Sequence, residues 1–257
     1  MTKQEQIKFI EDTYPEYTNH FSKRAIRHDF FSEIKTELQA YLLGFYAADG
    51  KRKTLRIHLC AIDSDIVDMY KMYISKSART FTLQKHTTIG RNGIKVQAHE
   101  SYGVDITSSK LCESLVNLGF GYNKTYAEHT LPRMDSKLFR HFIRGYFDGD
   151  GSITGSYRKL QENRKERMTM NFTIEFKKAQ LALEFQKEFA KNGIKSNVIY
   201  LKRDDMYRLA TASIPNIKNL FHFLYDDSNF YGNRKYKKFS YYVNTEVSQL
   251  IADHCNA

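Results

Sequence analysis

The sequence has 257 residues, 41% of them hydrophobic and 14% aromatic, which is enough for one large hydrophobic core or two smaller ones. Charged residues make up 27%, close to the globular average, so the composition argues against wholesale disorder. The formal net charge is +11, from 40 Lys plus Arg against 29 Asp plus Glu, which favours a polyanionic partner such as nucleic acid.

Signals of a membrane or secreted protein are absent from the sequence. No apolar run approaches the roughly 20 residues that span a bilayer, and the first residues, MTKQEQIKFIEDTYPE, contain no signal-peptide apolar region. The cysteines, Cys60, Cys112 and Cys255, lack metal-ligand spacing and fit reduced thiols. We therefore expect an intracellular protein, in the cytoplasm or an organelle matrix, without a membrane partner.

The first part of the chain is predicted to hold an extension and one complete unit. Residues 1–31 are expected to form a mostly helical N-terminal extension, because nothing later in the chain matches them. Residues 32–132 then read as helix, two strands, helix, a continuous hairpin over 79–109, and helix. Apolar residues alternate with polar ones along the first strand: Leu55, Ile57, Leu59 and Ala61.

Residues 133–257 repeat this order of elements, with the boundary near Pro132. A further helix is predicted over residues 239–257. The expected fold class is therefore α+β, with two pseudo-symmetric αββαββα half-domains.

Two similar segments head the two units, YLLGFYAADG at 41–50 and FIRGYFDGDG at 142–151. Their aspartates, Asp49 and Asp150, lie 150 − 49 = 101 positions apart, each before a glycine that is expected to turn the chain at positive φ. The helix dipole disfavours a carboxylate in the last turn of a helix, and a bound divalent cation would offset that cost.

A plain turn and a calcium-binding loop are other interpretations of these segments. A plain turn after each helix remains open. An EF-hand calcium loop fails, because its first and last ligand positions would be Tyr146 and Tyr157.

Small residues recur four positions apart in both segments, as Gly44 and Ala48 and as Gly145 and Gly149. Such spacing makes a flat strip on one helix face and predicts close packing of the two helices. Asp49 and Asp150 would then meet at the same end of the pair.

These residues carry a resemblance to the LAGLIDADG homing endonucleases, over roughly residues 32–257. The first segment keeps Leu42, Gly44, Ala48, Asp49 and Gly50, and the second keeps Gly145, Asp148, Asp150 and Gly151. The resemblance implies that the two helices form the interface between half-domains, and that each half places an antiparallel sheet in the DNA major groove. One departure is Ala47, where the family often has an acid; the second segment has Asp148, a position that commonly serves the interface or a cap.

The resemblance also implies a catalytic site. Asp49 and Asp150 would bind Mg²⁺, with Mn²⁺ as a substitute, assisted by the carbonyl oxygens of Ala48 and Gly149. A basic residue near the site is usual in the family, and Lys124 and Lys235 occupy matching places after the closing helices. Lys237 is an alternative to Lys235, and phosphate contact or a solvated charge is the alternative role for these lysines.

The polar sides of the predicted strands are expected to contact DNA, because a two-stranded ribbon fits the major groove. The residue types there suit base edges or phosphates; an ordinary hydrated sheet face is the alternative. The predicted contact residues are Arg56, His58, Gln84, Lys95, Gln97, His99, Arg158, Arg167, Asn171 and Lys177.

The predicted function is that of a monomeric, intron-encoded, site-specific homing endonuclease. It would cut both strands of an asymmetric duplex target of roughly 20 base pairs, or two helical turns, by metal-dependent phosphodiester hydrolysis. The alternatives are an RNA maturase that binds its own group I intron RNA, and a DNA-binding regulator of the same fold without cleavage activity.

Overall fold

The computed structural model describes residues 1–17, 25–89, 95–121, 131–132, 134–158 and 167–246. Helix α1 spans Lys3–Thr13 and is followed by a 3-10 turn at Pro15–Tyr17. The elements of the first half are α2 (Glu37–Asp49), β1 (Lys51–Lys53), β2 (Arg56–Ala61), α3 (Ser64–Tyr73), β3 (Arg79–Leu83), β4 (His86–Ile89), β5 (Lys95–Ala98), β6 (Ser101–Thr107) and α4 (Ser109–Asn117). Those of the second half are α5 (Ser136–Asp150), β7 (Ser152–Arg158), β8 (Arg167–Phe176), α6 (Ala179–Lys191), β9 (Asn197–Leu201), β10 (Met206–Thr211), α7 (Ile214–Tyr225) and α8 (Asn233–Asn244).

Each half contains a four-stranded antiparallel sheet with the same connectivity. The order is β1-β2-β6-β3 in the first sheet and β7-β8-β10-β9 in the second. One face of each sheet packs into the core, through residues such as Leu59 and Val104 in the first and Phe172 and Leu209 in the second. The predicted α+β fold of two pseudo-symmetric halves is confirmed.

The helices α2 and α5 pack against each other at backbone contact. A Cβ added to Gly44 would lie 2.0 Å from the Phe142 carbonyl oxygen, and one added to Gly145 would lie 2.0 Å from that of Tyr41. Any larger side chain at either glycine would force the helices apart. The prediction of a closely packed helix pair is therefore confirmed, and the chain is glycine at these two positions because only hydrogen fits.

Sequence and capping explain where these helices begin. Thr36 and Gln39 form a capping box at the start of α2, and Asp135 caps α5 by accepting a hydrogen bond from the Lys137 N–H. Residues 38–47 of α2 are all buried, because the helix lies between the two halves rather than on the surface.

Several strands differ from the prediction. Leu55 is 54% exposed in the turn between β1 and β2, so the expected single strand is broken there and this leucine does not face the core. The expected continuous hairpin is divided: β3 and β6 belong to the four-stranded sheet, and β4 and β5 form a separate two-stranded ribbon. The GRNG turn lies outside the described residues.

The two ends of the chain also differ from the prediction. Helix α8 begins at Asn233, earlier than expected, and residues 247–257 lie outside the described part. Within the predicted extension, Phe30 and Phe31 are buried in the core, and the Arg27 N–H donates to the Ile74 carbonyl. Residues 25–31 therefore pack against the first half instead of forming a helical arm. None of the helices in the described ranges is long and apolar enough to cross a membrane.

Candidate active site

Asp49 and Asp150 are the last residues of α2 and α5, at the same end of the helix pair. A Cβ placed on Gly149 would lie 2.4 Å from the Ala48 Cβ and 3.4 Å from Asp49 Oδ2. The Asp49 carboxylate therefore reaches across to the last turn of α5. Asp49 is half-buried and Asp150 is exposed, so both residues are accessible to solvent.

The glycines after both aspartates do not have the expected positive φ. Gly50 has φ −72° and Gly151 has φ −75°, both in the extended region. Glycine is needed there for space: a Cβ on Gly50 would lie 2.1 Å from the Tyr46 ring, and one on Gly151 would lie 2.0 Å from the Phe147 ring. Each ring covers the helix end, and the glycine N–H donates to the carbonyl four residues earlier, at 2.8 Å in both cases.

Lys235 lies in the first turn of α8 and points its ammonium at the end of α5. Its Nζ donates to the carbonyl oxygens of Phe147, at 2.8 Å, and Gly149, at 2.5 Å. These carbonyls carry the partial negative charge of the helix end. The residue is only 8% exposed, and this burial lowers the pKa of the ammonium to about 8 although Asp148 raises it.

Of the other two sequence-predicted lysines, one lies within the described residues. Lys237 is exposed on α8, so of these two lysines it is Lys235 that reaches the end of α5. Lys124 lies outside the described residues, and its role in the first half stays a prediction.

The donor set fits a hard divalent cation. Mg²⁺ commonly binds one or two protein carboxylates and completes its shell with water and substrate phosphate. Asp49 and Asp150 can supply those carboxylates; no group of three or more His, Cys, Asp or Glu capable of binding a metal occurs among the described residues. The Gly149 carbonyl already accepts a hydrogen bond from Lys235, leaving one lone pair for a cation, while the proposed contribution of Ala48 stays a prediction.

Asp148 is buried behind the site and accepts three hydrogen bonds. Tyr41 Oη donates to its Oδ2 at 2.8 Å, Tyr225 Oη to its Oδ1 at 2.9 Å, and the Gly232 N–H to its Oδ2 at 2.8 Å. Burial raises the pKa of this carboxyl, and the hydrogen bonds from its donors oppose that shift. Tyr41 belongs to α2, so the carboxylate joins the two halves.

Arg144 is a further buried charge that the sequence reading missed. It is 0% exposed, and its guanidinium donates to Leu224 O at 3.1 Å and to Ser228 Oγ at 2.5 Å. It also stacks over the rings of Tyr41 and Phe230, each with a centroid distance of 5.2 Å. Its position in the apolar stretch FIRGYF was the available signal, because a charge inside a buried helix needs partners.

The predicted DNA-contact residues fall into distinct groups. Arg56 and His58 lie on the face of the first sheet opposite the core, where Asp105 binds His58 Nδ1 at 2.8 Å and Arg56 at 3.3 Å. Lys177 instead donates to the carbonyls of Asp204 and Asp205, at 3.3 Å each, and so supports the turn between β9 and β10. The exposed members are Gln84, Lys95, Gln97, His99 and Asn171. Arg158 and Arg167 pair in β7 and β8, but their side chains lie outside the described part.

Comparison with known proteins confirms the resemblance drawn from the two segments. Residues 143–245 match the profile of the LAGLIDADG endonuclease family. The chain is 27% identical over 128 residues to the DNA-directed RNA polymerase subunit Rpo1C of Methanocaldococcus jannaschii, but this covers 49% of the chain and only 14% of that protein.

Solved structures extend the likeness to both halves. The meganuclease I-AabMI bound to uncleaved DNA matches with a TM-score of 0.54 and 12% identity, covering 85% of this chain and 92% of that one. The meganuclease I-SmaMI bound to uncleavable DNA matches with a TM-score of 0.52 and 12% identity, covering 86% and 96%. At this identity the likeness shows a shared fold.

Proposed function

We propose that this chain, which resembles the LAGLIDADG endonucleases and has two motif helices in one polypeptide, is a site-specific, metal-dependent endonuclease that cuts both strands of duplex DNA. The observation that carries the proposal is the meeting of Asp49 and Asp150 at one end of the helix pair, with the Lys235 ammonium at the last turn of α5. Two carboxylates that can hold a divalent cation, close to the buried ammonium of Lys235, suit hydrolysis of a phosphodiester.

Each residue has a chemical role in this reaction. A divalent cation held by Asp49 and Asp150 would supply an activated water and stabilise the leaving oxygen. Lys235 places a positive charge where the pentavalent phosphorane gains negative charge, and it is already desolvated, so little reorganisation is needed. Lys124 is proposed to act in the same way for the other strand.

The two sheets are proposed to hold the duplex. The net charge of +11 favours binding to phosphates, and the exposed polar residues of the sheets and ribbon include base-reading types such as Gln97 and Asn171. The proposed half-domains are residues 32–132 and 133–257, with residues 1–31 preceding them, and the protein would act as a monomer on a target of roughly two helical turns.

The test is a plasmid cleavage assay with a target-site library or with the flanks of the gene's own insertion site. The purified protein should linearise the matching plasmid in Mg²⁺ or Mn²⁺, and EDTA should stop it. In the same preparation, the logarithm of DNA affinity should fall with the logarithm of salt concentration at about 0.9 per neutralised phosphate. Binding to the target without any cutting in either metal would contradict the endonuclease assignment.

The maturase and regulator alternatives share the fold. The presence of both aspartates and of Lys235 at one site favours cleavage over a purely regulatory role. Splicing of the surrounding intron RNA with and without the protein tests the maturase, and the position of the gene within an intron tests the proposed origin.

A further inference from the structure

The start of helix α8 is attached to three other parts of the molecule through consecutive residues. The Gly232 N–H donates to Asp148 of α5 at 2.8 Å, and Lys235 donates to the carbonyls at the end of the same helix. Helix α8 therefore meets α5 head to tail, with the carboxylate of Asp148 at the positive end of α8 and the ammonium of Lys235 at the negative end of α5.

The first half of the chain holds the next two residues of α8. Asn233 donates through its backbone N–H, at 3.3 Å, and its Nδ2, at 3.0 Å, to Asp65. Arg234 binds Asp63 with two hydrogen bonds of 2.8 Å each. These acids lie at the start of α3, so the lysine-bearing turn is fixed by both halves.

The N-terminal helix adds a third attachment. Gln6 is 1% exposed and accepts a hydrogen bond from the Tyr231 N–H at 2.9 Å, while its Nε2 donates to Asn233 Oδ1 at 3.2 Å. Residues 231–235 thus form a segment, named here the lysine turn, in which every residue has a specific partner elsewhere.

Asp148 has no counterpart in the first half. The equivalent position, 148 − 101 = 47, is Ala47, which has no side-chain oxygen. The approach of the lysine turn to Asp148 is also close: a Cβ on Gly232 would lie 3.3 Å from the Asp148 Cγ and 3.3 Å from its Oδ2. Glycine at this position lets the backbone N–H reach the carboxylate.

We infer that Asp148 is a positioning residue for Lys235, and that its hydrogen bond to the lysine turn sets the rate at which one DNA strand is cut without setting the rate for the other. The inference rests on the proposed endonuclease function, and it extends that function by making the two strand cuts unequal in their dependence on the protein. Asp148 does not touch the substrate in this account. It acts by fixing the backbone from which Lys235 extends.

The first experiment measures how well the backbone amides of the lysine turn are protected from hydrogen exchange, without DNA or metal. Asp148→Ala places an alanine at the position where the first half has Ala47. Amide hydrogen exchange across residues 231–236 should rise by about tenfold or more, because a buried hydrogen-bond acceptor is lost. Asp226→Ala, at an exposed carboxylate on the same connection, is the matched control and should leave this exchange unchanged. Unchanged protection of residues 231–236 in Asp148→Ala would overturn the inference.

The second experiment follows the two strands separately, with a different label on each. Asp148→Ala should slow one strand by at least about tenfold, since a shift of about 1 Å in a positioned group has effects of that order or larger. The other strand and the DNA affinity should change by less than about twofold, so nicked plasmid accumulates. Equal slowing of both strands would mean general damage and would overturn the inference.

Gly232→Ala is the second variant, and it decides the matter if Asp148→Ala fails to fold. This variant keeps the Asp148 carboxylate, and the Gly232 backbone φ of −68° accepts alanine. The added methyl group nevertheless crowds Asp148. It should slow the same strand, by a smaller factor; a rate within error of wild type on both strands would contradict the account. If the wild type cuts neither strand while hydrogen exchange responds as expected, the endonuclease proposal fails and the positioning of Lys235 stands.

Discussion

At positions 101 apart, the two motif helices make the same backbone contacts: Gly44 lies against Phe142, and Gly145 lies against Tyr41. The same spacing relates Tyr46 covering Gly50 to Phe147 covering Gly151. The surroundings of the two helices are unlike. Helix α5 carries a buried carboxylate and a buried guanidinium, at Asp148 and Arg144, where α2 has Ala47 and Leu43.

This difference separates two requirements on the helix pair. Close backbone packing needs hydrogen at two positions and so fixes the same residue in both halves. The buried charges need particular partners from α7, α8 and the opposite helix, and these partners are present around α5 alone among the described residues. The aspartate pair depends on the shared feature, and the environment of Lys235 depends on the unshared one.

The largest effect that would sharpen this comparison is expected from Lys235→Met, which keeps the length of the side chain and removes its charge. Cleavage of one strand should fall by about 10²-fold or more, the usual cost of losing a pre-organised charge at a reacting centre. A single-turnover assay on strand-labelled target would measure it. Lys237→Met is the matched control at an exposed lysine of the same helix, and comparable losses in both variants would refute the special role of Lys235.

The shared feature can be broken at Gly44. Gly44→Ala should destabilise the protein by about 3 kcal/mol, because the methyl group would overlap the Phe142 carbonyl and neither helix can move without disturbing the core. Urea unfolding measures the change. Gly121→Ala, where an added Cβ meets no atom within 4 Å, should change the unfolding free energy by less than about 0.5 kcal/mol. A small effect at Gly44 would show that the interface adapts.

The buried ammonium of Lys235 should make the free energy of unfolding of the metal-free protein depend on pH. The pKa of Lys235 is lowered in the fold from 10.5 to about 8. Between these values the unfolded chain binds a proton that the folded protein has lost, so the contribution of Lys235 to stability rises with pH. The difference in unfolding free energy between wild type and Lys235→Met should therefore shift in favour of wild type as pH rises above 8, and a constant difference up to pH 10 would contradict the lowered pKa.

The smallest effect is expected at Lys177, which was predicted from the sequence to contact DNA. Because its ammonium supports the turn between β9 and β10, Lys177→Ala should lower stability slightly, by about 1 kcal/mol, and leave the salt dependence of DNA binding unchanged. If the slope of log affinity against log salt concentration fell by about one unit, Lys177 would contact a DNA phosphate after all.

Much of the fold could be predicted because its signals are local. The repeated YLLGFYAADG and FIRGYFDGDG, the period-two strands and the small residues four apart predict the element order and the close helix pair. The break at Leu55 and the separate β4–β5 ribbon were not predicted, since alternation continues through a turn and does not show which strand pairs with which.

The site was predictable only where one residue type has few structural uses. Asp49 and Asp150 stood out because acids at helix ends are disfavoured. The partners of Asp148 could not be found from the sequence, because Tyr41, Tyr225 and the Gly232 N–H come from three distant segments and each is a common residue type in a core. For the same reason positive φ was the wrong explanation for Gly50 and Gly151: the sequence does not show that an aromatic ring lies over each one.

Strand-resolved cleavage by Asp49→Asn and Asp150→Asn tests most directly whether Asp49 and Asp150 hold the metal for hydrolysis of the two strands. Both variants keep size and shape and lose one negative charge. We predict normal folding, target binding at least as tight as wild type because an acid beside phosphate is gone, and loss of double-strand cleavage, with any remaining product being nicked plasmid. Linear product formed at the wild-type rate by either variant would contradict the claim.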